Sequence, residues 1–280
     1  WSYLSRDALK LASGDSSTRT DEHVHYRRVL EGVTREIDGW CRRRFQPYSA
    51  TQYYTAEEPE CLDVDDVLSV TAVRLDEDGD RTYGTTLSTA DWELEPYNAT
   101  AERRPYTLLA IRPNAAHVLT TARRGVQVAG EWGFWKQLET PPVTVSTSTP
   151  IADAVSTSFA LSAASTVVQV LDTLLLSSAE QVYVTEVSGT TVSIDRGQNG
   201  TVASSHSVAA SIQVYRYPEP VVAACELQAL RIWRRRDAPF GVVGAGGIGV
   251  SAGEIGTVVV IPKLDPDVMG LLDGAMLRRK

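Results

Sequence analysis

The chain has 280 residues, of which 43% are hydrophobic, so it can form one large domain or two smaller ones with a buried core. Its formal net charge of −8 argues against a general binder of nucleic acids or anionic membranes. No apolar run approaches the ~20 residues of a membrane span and no signal peptide is visible. The three cysteines are scattered, which is typical of small buried side chains in a reducing cytoplasm.

The first part of the chain predicts two helices. Ser5 is the predicted N-cap of a short helix, RDALKLAS, that stops at Gly14. A longer amphipathic helix follows over 20–45 and carries one apolar stripe. Its final arginine cluster is interpreted as a helix C-terminus that complements the helix dipole, and a phosphate-binding or partner-binding patch is the alternative.

Over residues 49–134 the pattern changes to β-strands, because β-forming residues alternate or cluster there. The acidic stretch DEDGDR, residues 76–81, lies between two of these strands and resembles a calcium loop only superficially. An EF-hand needs glycine at its sixth position and glutamate at its twelfth, where Arg81 and Leu87 stand. The pair Asp78-Gly79 therefore predicts a hairpin turn.

Residues 141–217 have a different composition, rich in Ser, Thr, Val and Ala, and predict a small all-β unit. Its predicted strands are SFALS, TVVQVLD, QVYVTEV, TVSIDR and SIQVYRY. Helix returns over 220–236, with Pro220 at a first-turn position. A glycine-rich stretch, a β-like TVVVIP and a short final helix follow. The letters GAGGIG at 244–249 match a dinucleotide-binding fingerprint, but a helix precedes them and a strand follows, so they predict a linker.

The sequence contains no catalytic or metal-binding constellation. The serines of GDSS, residues 14–17, have no histidine and acid paired with them. His23 and His25 do not share a helix face, and His117 stands alone with no cysteine near it to complete a zinc site. His206 is interpreted as a structural hydrogen-bond donor. We therefore predict that the protein is not an enzyme and needs no metal or cofactor.

The segment SIDRGQNGTVASSHSVAA, residues 193–210, predicts a structural corner rather than a reactive loop. Gly197 and Asn199-Gly200 tolerate the left-handed backbone angles that a tight turn requires. Asp195 is expected to accept hydrogen bonds from loop amides, and Arg196 to pair with Asp195 or with a neighbouring carbonyl.

This segment, with the preceding QVYVTEVSGTTVSI, resembles a β-module that recurs in virion proteins of tailed phages, and the resemblance covers residues 150–216. The flanking motifs resemble, in the same order, those of phage head-tail connector (adaptor) proteins. These motifs are YLSRDALKLASG, IDGWCRRRFQP, LSVTAVRLDEDG, ADWELEPYNA, VQVAGEWGFW and PEPVVAACELQALRIWRRR. The large insertion and the long glycine arm depart from the simpler relatives, so contacts within a ring are not carried over.

The resemblance implies an α+β fold, with a helical connector core, a small β-sheet region, an inserted all-β module and a flexible C-terminal arm. The predicted core is discontinuous, over 1–140 and 218–240, and the inserted module covers 141–217. Residues 241–280 form the predicted glycine-rich arm and a tail that contacts the portal.

The resemblance also implies a structural virion protein that forms a ring of about twelve copies between portal and tail and extends the DNA channel. Its expected partners are the portal protein, the tail-side stopper or tail terminator, and other copies of itself. DNA would pass an acidic lumen without specific binding, and no membrane is involved. Assembly would take place in the host cytoplasm and end in the virion neck. The alternatives are another neck, tail-completion or baseplate component, or a glycan-binding virion module acting through the β-insert.

Two sets of residues are the candidate contacts of such a protein. Apolar positions near the C-terminus are expected to contact the portal, because a β-branched run and an apolar helix side need partners. These positions are Val258, Val259, Val260, Ile261, Leu271, Leu272 and Met276. Apolar positions on the two long helices are expected to form the core or the contacts between subunits, and they are Val33, Ile37, Trp40, Leu227, Leu230 and Trp233.

Overall fold

The structure is a computed structural model, and it describes residues 1–15, 22–146, 150–235, 264–274 and 277–279. Two antiparallel sheets of six strands each dominate these residues, and the four helices found there account for a smaller share of them. The predicted α+β fold with a helical connector core is therefore wrong. The strands predicted over 49–134 do not form a small β-sheet region. They pair with one another into a six-stranded sheet.

The helices begin and end close to the predicted positions. Helix α1 begins after Ser5, whose Oγ accepts a hydrogen bond from the Ala8 amide at 3.2 Å, and it ends at Gly14 in the left-handed region. Helix α2 ends four residues earlier than predicted, because Arg42 takes a left-handed φ of 53°. The helices are α1 Arg6–Ser13, α2 His23–Cys41, α3 Glu219–Arg235 and α4 Pro266–Gly274.

The helices belong to one compact unit, formed by Trp1–Arg42, Gln169–Asp172 and Pro218–Lys280. The apolar stripe of α2 is its core face, as predicted, since Val33 and Ile37 are fully buried. The rings of Tyr26 and Trp233 stack with their centroids 3.8 Å apart, which joins α2 to α3.

Trp40 was predicted to form the core or a contact between subunits, and it does not lie in the fully buried core. Its side chain is only partly buried, and its indole nitrogen donates to the carboxylate of Asp273 at 3.3 Å. The guanidinium of Arg278 lies 4.4 Å from the centroid of the indole ring. Trp40 therefore packs at the margin of the helical core, against α4 and the residues that follow it.

The first sheet is built around β2, which runs for fifteen residues. The first part of β2 pairs with β5 and its second part with β6, and register shifts along the strand mark irregular pairing. The strand order is β1-β6-β2-β5-β4, and β3 also pairs with β2. The strands are β1 Tyr48–Tyr54, β2 Cys61–Leu75, β3 Thr85–Thr86, β4 Trp92–Glu95, β5 Tyr106–Ile111 and β6 Val126–Trp132.

The second sheet has the order β7-β12-β9-β10-β11-β8 and buries an apolar face around Phe159 and Leu174. The predicted strand TVVQVLD is wrong, because Leu171 has a φ of 74° and Gln169–Asp172 belongs to the helical unit. The strand starts at Thr173 instead. The strands are β7 Gln137–Glu139, β8 Ser158–Ala160, β9 Thr173–Leu176, β10 Glu180–Ser188, β11 Thr191–Gln198 and β12 Ile212–Arg216.

Both sheets belong to the second compact unit, formed by Arg43–Val168 and Thr173–Tyr217. The domain bounds expected from the sequence, with a separate module over 141–217, remain a prediction.

Candidate functional site

The segment RGQNGTVASSH folds around the carboxylate of Glu180, which has no exposed surface. Arg196 donates from Nε and Nη2 to the two carboxylate oxygens, at 2.7 Å each. The amides of Gly197 and Ser204 add hydrogen bonds of 3.0 and 3.1 Å. Nε2 of His206 lies 2.8 Å from Oε2 of the same carboxylate. We call Glu180, Arg196 and His206 the Glu180 cluster.

Arg196 also joins the loops on either side of the cluster. Its Nη1 donates to the carbonyl oxygens of Asp153 and Ser156, at 3.0 Å each, and Nη2 donates to the carbonyl of Ser204. The predicted pairing with neighbouring carbonyls is therefore found, and the ion pair with Glu180 is a contact that the sequence did not predict. One guanidinium thus binds three carbonyl oxygens on two loops, the loop at 153–156 and the loop that contains Ser204, and holds both loops beside the Glu180 carboxylate.

The Glu180 carboxylate stays ionised although it is buried. Burial alone would raise its pKa, but the hydrogen bonds from Arg196, His206 and the amides of Gly197 and Ser204 outweigh that effect and lower the pKa to about 2. The cluster is therefore a buried charge with complete hydrogen bonding, which is the arrangement that makes such a charge tolerable in a protein interior.

His206 also contacts Ser177, whose Oγ lies 3.0 Å from Nδ1. The order Ser177–His206–Glu180 is that of a serine–histidine–acid triad. However, His206 and Glu180 are both buried, and Arg196 already binds both oxygens of the carboxylate. Ser177 and Ser178 are the first two of the three residues that connect β9 to β10, with φ values of 50° and 58°, and the Ala179 amide closes the turn by donating to the Leu176 carbonyl. We interpret the contact as support for this turn.

A second network of side-chain amides connects the beginning of the first sheet to the second. Gln46 and Gln181 are buried, and Nε2 of Gln46 donates to Oε1 of Gln181 at 3.0 Å. Nδ2 of Asn199 donates to the same oxygen at 2.7 Å, and Nε2 of Gln181 donates to the carbonyl of Pro47 at 3.2 Å. The hydroxyl of Tyr183 donates to Oδ1 of Asn199 at 2.6 Å.

The turn Asn199-Gly200 lies directly on strand β1. The Ser49 amide donates to the Asn199 carbonyl at 2.8 Å. Gly200 has a φ of 79°, as the sequence predicts, and a Cβ at this position would lie 1.9 Å from the Ser49 carbonyl oxygen. Only glycine fits here, both for its backbone angle and for the space available.

A cleft of about 600 Å³ lies beside β1, between the outer face of the first sheet and turns of the second. Its lining is mostly small and polar, and an ion pair between Lys136 and Glu131, 2.8 Å long, lies at its side. Ser49 and Thr51 of β1, Ser69 and Thr71 of β2, and Ala129 of β6 are among the lining residues.

The aspartates of the predicted turn at 76–81 lie close together, since carboxylate oxygens of Asp76, Asp78 and Asp80 are within 4.8 Å of one another. Asp76 accepts hydrogen bonds from the amides of Gly79 and Arg81, at 2.8 and 3.1 Å. These bonds and the φ of 81° at Gly79 form a local turn, but it lies within a longer connection, 76–84, between β2 and β3 and is not the tight hairpin turn that the sequence predicts.

The structure distributes the sequence-predicted contact residues over different environments. Trp233 is buried, Leu230 is partly buried and Leu227 is 46% exposed on α3. On α4, Leu272 is buried and Leu271 is 37% exposed. The remaining predicted portal contacts lie outside the described residues, and they are Val258, Val259, Val260, Ile261 and Met276.

Sequence reasoning missed Glu180, the centre of the site. One signal could have found it, because QVYVTEV and TVSIDR read as neighbouring strands of a hairpin. Antiparallel pairing of β10 with β11 sets Gln181 opposite Gln198, and this brings the start of β10 next to Arg196. A buried arginine at that end requires an acid, and Glu180 is the carboxylate available there.

Comparisons with protein-family models, with curated proteins and with solved structures find no match for this chain. Among the described residues, no helix is both long enough and apolar enough to cross a membrane. The site is therefore interpreted from its own geometry.

Proposed function

We propose that the chain is a structural protein of a tailed-phage or phage-like particle, acting as a connector subunit in the neck. The observation that carries this proposal is the Glu180 cluster, since the residues of the phage-type motif all have structural roles around it. Thr201 belongs to the same set, because its Oγ1 accepts from the Gln181 amide at 2.9 Å. The motif residues are Arg196, Gly197, Gly200, Thr201 and His206.

The proposal does not depend on a helical core, which the two sheets exclude. It rests on the order of the connector-like motifs along the chain and on the module that interrupts them. A motif whose polar groups are bound internally supports a scaffold, because reactive sites need an accessible group with a tuned pKa. The proposed role is accordingly assembly, without a catalysed reaction.

An acidic stretch agrees with a position along the path of DNA. Five exposed carboxylates lie on the connection from β1 to β2 and on the first residues of β2. Such a surface repels DNA phosphates and opposes adhesion to the duplex. These residues, Glu57, Glu58, Glu60, Asp63 and Asp65, are proposed to face the lumen of a ring of about twelve copies. The portal would lie on one side and a stopper or tail terminator on the other.

The direct test mixes the purified chain with purified portal rings and images the mixture by negative-stain electron microscopy. We expect added density on the axis of the portal, absent from portal rings alone, and co-elution of the two proteins. Binding to stopper or terminator proteins without binding to the portal would assign the chain to another neck position. Binding to none of these would reject the proposal.

A charge test addresses the lumen. Substitution of Glu58, Glu60 and Asp63 by lysine is expected to create retention on double-stranded DNA that weakens steeply with salt. The matched control places the same number of lysines at Glu31, Glu77 and Glu102, away from this stretch. Equal retention by both variants would mean that the acidic stretch has no special place on the DNA path.

A further inference from the structure

Strand β1 is an open edge of the first sheet. Among the described residues it pairs only with β6, through seven consecutive residue pairs from Tyr48–Trp132 to Tyr54–Val126, with no register shift. An edge of this kind has one paired side and one side whose backbone groups can accept another strand.

The backbone of β1 shows which groups are open. The Ser49 amide points away from β6, since it donates to the carbonyl of Asn199. Because alternate residues of an antiparallel strand direct their N–H and C=O to the same side, Thr51 and Tyr53 point their backbone groups away from β6 as well. These groups make no backbone hydrogen bond to any described residue outside the ladder with β6.

β1 also lacks the features that protect other sheet edges. Its sequence, YSATQYY, has no charged residue and no proline, and its pairing contains no bulge. Among the described edge strands, β4 carries two glutamates, and β7 and β8 have only three residues each. β1 is thus the long, uncharged and regular edge of this set.

An added strand would run about 4.8 Å from β1, on the side away from β6. Thr51 and Tyr53 are exposed at this edge, so their backbone groups are accessible to such a strand.

We propose that β1 binds an extended strand of a second copy of this chain, residues 257–261, by β-augmentation. The segment TVVVI consists entirely of β-branched residues and contains neither charge nor proline. The segment has five residues, and five residues of β1, from Ala50 to Tyr54, follow Ser49, whose amide is already bonded to Asn199. The two surfaces differ, so the contact is head-to-tail and repeats from copy to copy. The inference deepens the proposed ring by naming its contact.

The test weakens the two sides of the proposed contact separately, the edge of β1 with one variant and the donor segment with another. Thr51→Pro deletes the outward N–H of β1 but leaves the ladder with β6, since the N–H at this position does not face that strand. Thr51→Val keeps the N–H and is the matched control. Val259→Asp places a charge in the donor segment. By sedimentation velocity, we expect concentration-dependent self-association of the wild type and of Thr51→Val, and a dissociation constant raised at least about tenfold in the other two.

Mixing the two weakened variants gives the decisive measurement. Thr51→Pro retains the donor segment and Val259→Asp retains the open edge, so a mixture should form one-to-one dimers and nothing larger. Circular dichroism and thermal melting verify the fold of each variant, and Thr51→Lys replaces the proline variant if that variant does not fold. A wild type that stays monomeric, or a mixture that forms no dimer, would overturn the inference.

The outcomes separate this inference from the proposed function. Self-association through β1 without any binding to portal rings would reject the connector and leave the strand pairing intact. If the chain binds portal rings, but neither Thr51→Pro nor Val259→Asp weakens its self-association, the strand pairing is rejected and the connector role is not.

Discussion

At the scale of single residues, Glu180 is a carboxylate that is fully buried and still fully bonded. Removing one partner of such a pair leaves the other charge buried and unpaired, which costs more than the pair itself contributes. The residues that make it tolerable, Arg196 and His206, come from the same motif.

Glu180→Gln is expected to lower the free energy of unfolding by about 3–5 kcal/mol, because Arg196 loses its buried counter-charge. Glu139→Gln is the matched control, since Glu139 pairs with Arg216 at 2.6 Å in a position where both side chains are partly exposed. That pair should contribute no more than about 1 kcal/mol. Urea denaturation of both variants measures the difference, and equal losses would contradict the importance of burial.

The low pKa of Glu180 also predicts an acid-dependent loss of stability. Its ordinary value is 4.5 and its folded value is about 2, so the unfolded chain binds a proton first as the pH falls. The contribution is complete above pH 4.5, declines below it and is gone near pH 2, with a total of about 3 kcal/mol. Unfolding free energies measured from pH 6 to pH 2 should therefore converge for wild type and Glu180→Gln. A constant difference would assign the effect to packing.

At the scale of elements, two contributions to stability at the Asn199-Gly200 turn can be measured separately. One is the close contact with β1, and the other is the cost of a left-handed backbone at a non-glycine residue. Gly200→Ala introduces both strain and a clash with the Ser49 carbonyl. Gly189→Ala is the matched control, because Gly189 has a φ of 62° and no atom within 4 Å of the added Cβ. We expect about 1–2 kcal/mol for Gly189→Ala and a clearly larger loss for Gly200→Ala in denaturant unfolding. Equal losses would mean that the turn and β1 yield freely.

The helical unit gives a second comparison between elements. Trp233→Ala removes a buried ring stacked on Tyr26 and should cost about 3–5 kcal/mol. Leu227→Ala, on the exposed side of the same helix, should change stability by no more than about 0.5 kcal/mol. Thermal melts of both variants test this. A large loss from Leu227→Ala would show that this side chain is not free of contacts in solution.

Helices and turns were predictable because their signals are local. The Ser5 cap and the Gly14 stop depend on residues within one or two turns of each other. Trp40 departs from its prediction, because the buried face of α2 continues from Ile37 to Cys41 and leaves Trp40 beside it. Whether a position at the end of a stripe is covered depends on α4, which lies more than 200 residues away in the chain.

At the scale of the whole molecule, the segment Gln169–Asp172 shows that the predicted module over 141–217 is not separate from the helices. It lies within the predicted module, yet the Arg6 amide donates to the Val170 carbonyl at 3.1 Å and Leu171 is buried in the helical unit. Replacing 143–217 by a Gly/Ser linker should therefore lower the melting temperature of the helices, followed by circular dichroism. An unchanged melt would show that these contacts add nothing.

The fold class was wrong for a physical reason that applies to the whole chain. Alternating residues identify strands, but they do not state which strands pair, because the hydrogen-bonding partners are distant. β2 binds β5 and β6 on its two sides, and neither partner is adjacent to it in sequence. The Glu180 cluster could be predicted only in part for the same reason. Its arginine and histidine belong to one sequence motif, but its acid lies on another strand.

The β1–β6 pairing has a consequence for biosynthesis. Tyr48 pairs with Trp132, which is 84 residues later in the chain. At 5–20 residues per second, a ribosome needs roughly 4 to 17 seconds to produce β6 after β1 has been made. During that interval β1, uncharged and free of proline, has no partner on either side. Slower translation lengthens this exposure, so the yield of native chain should fall as elongation slows.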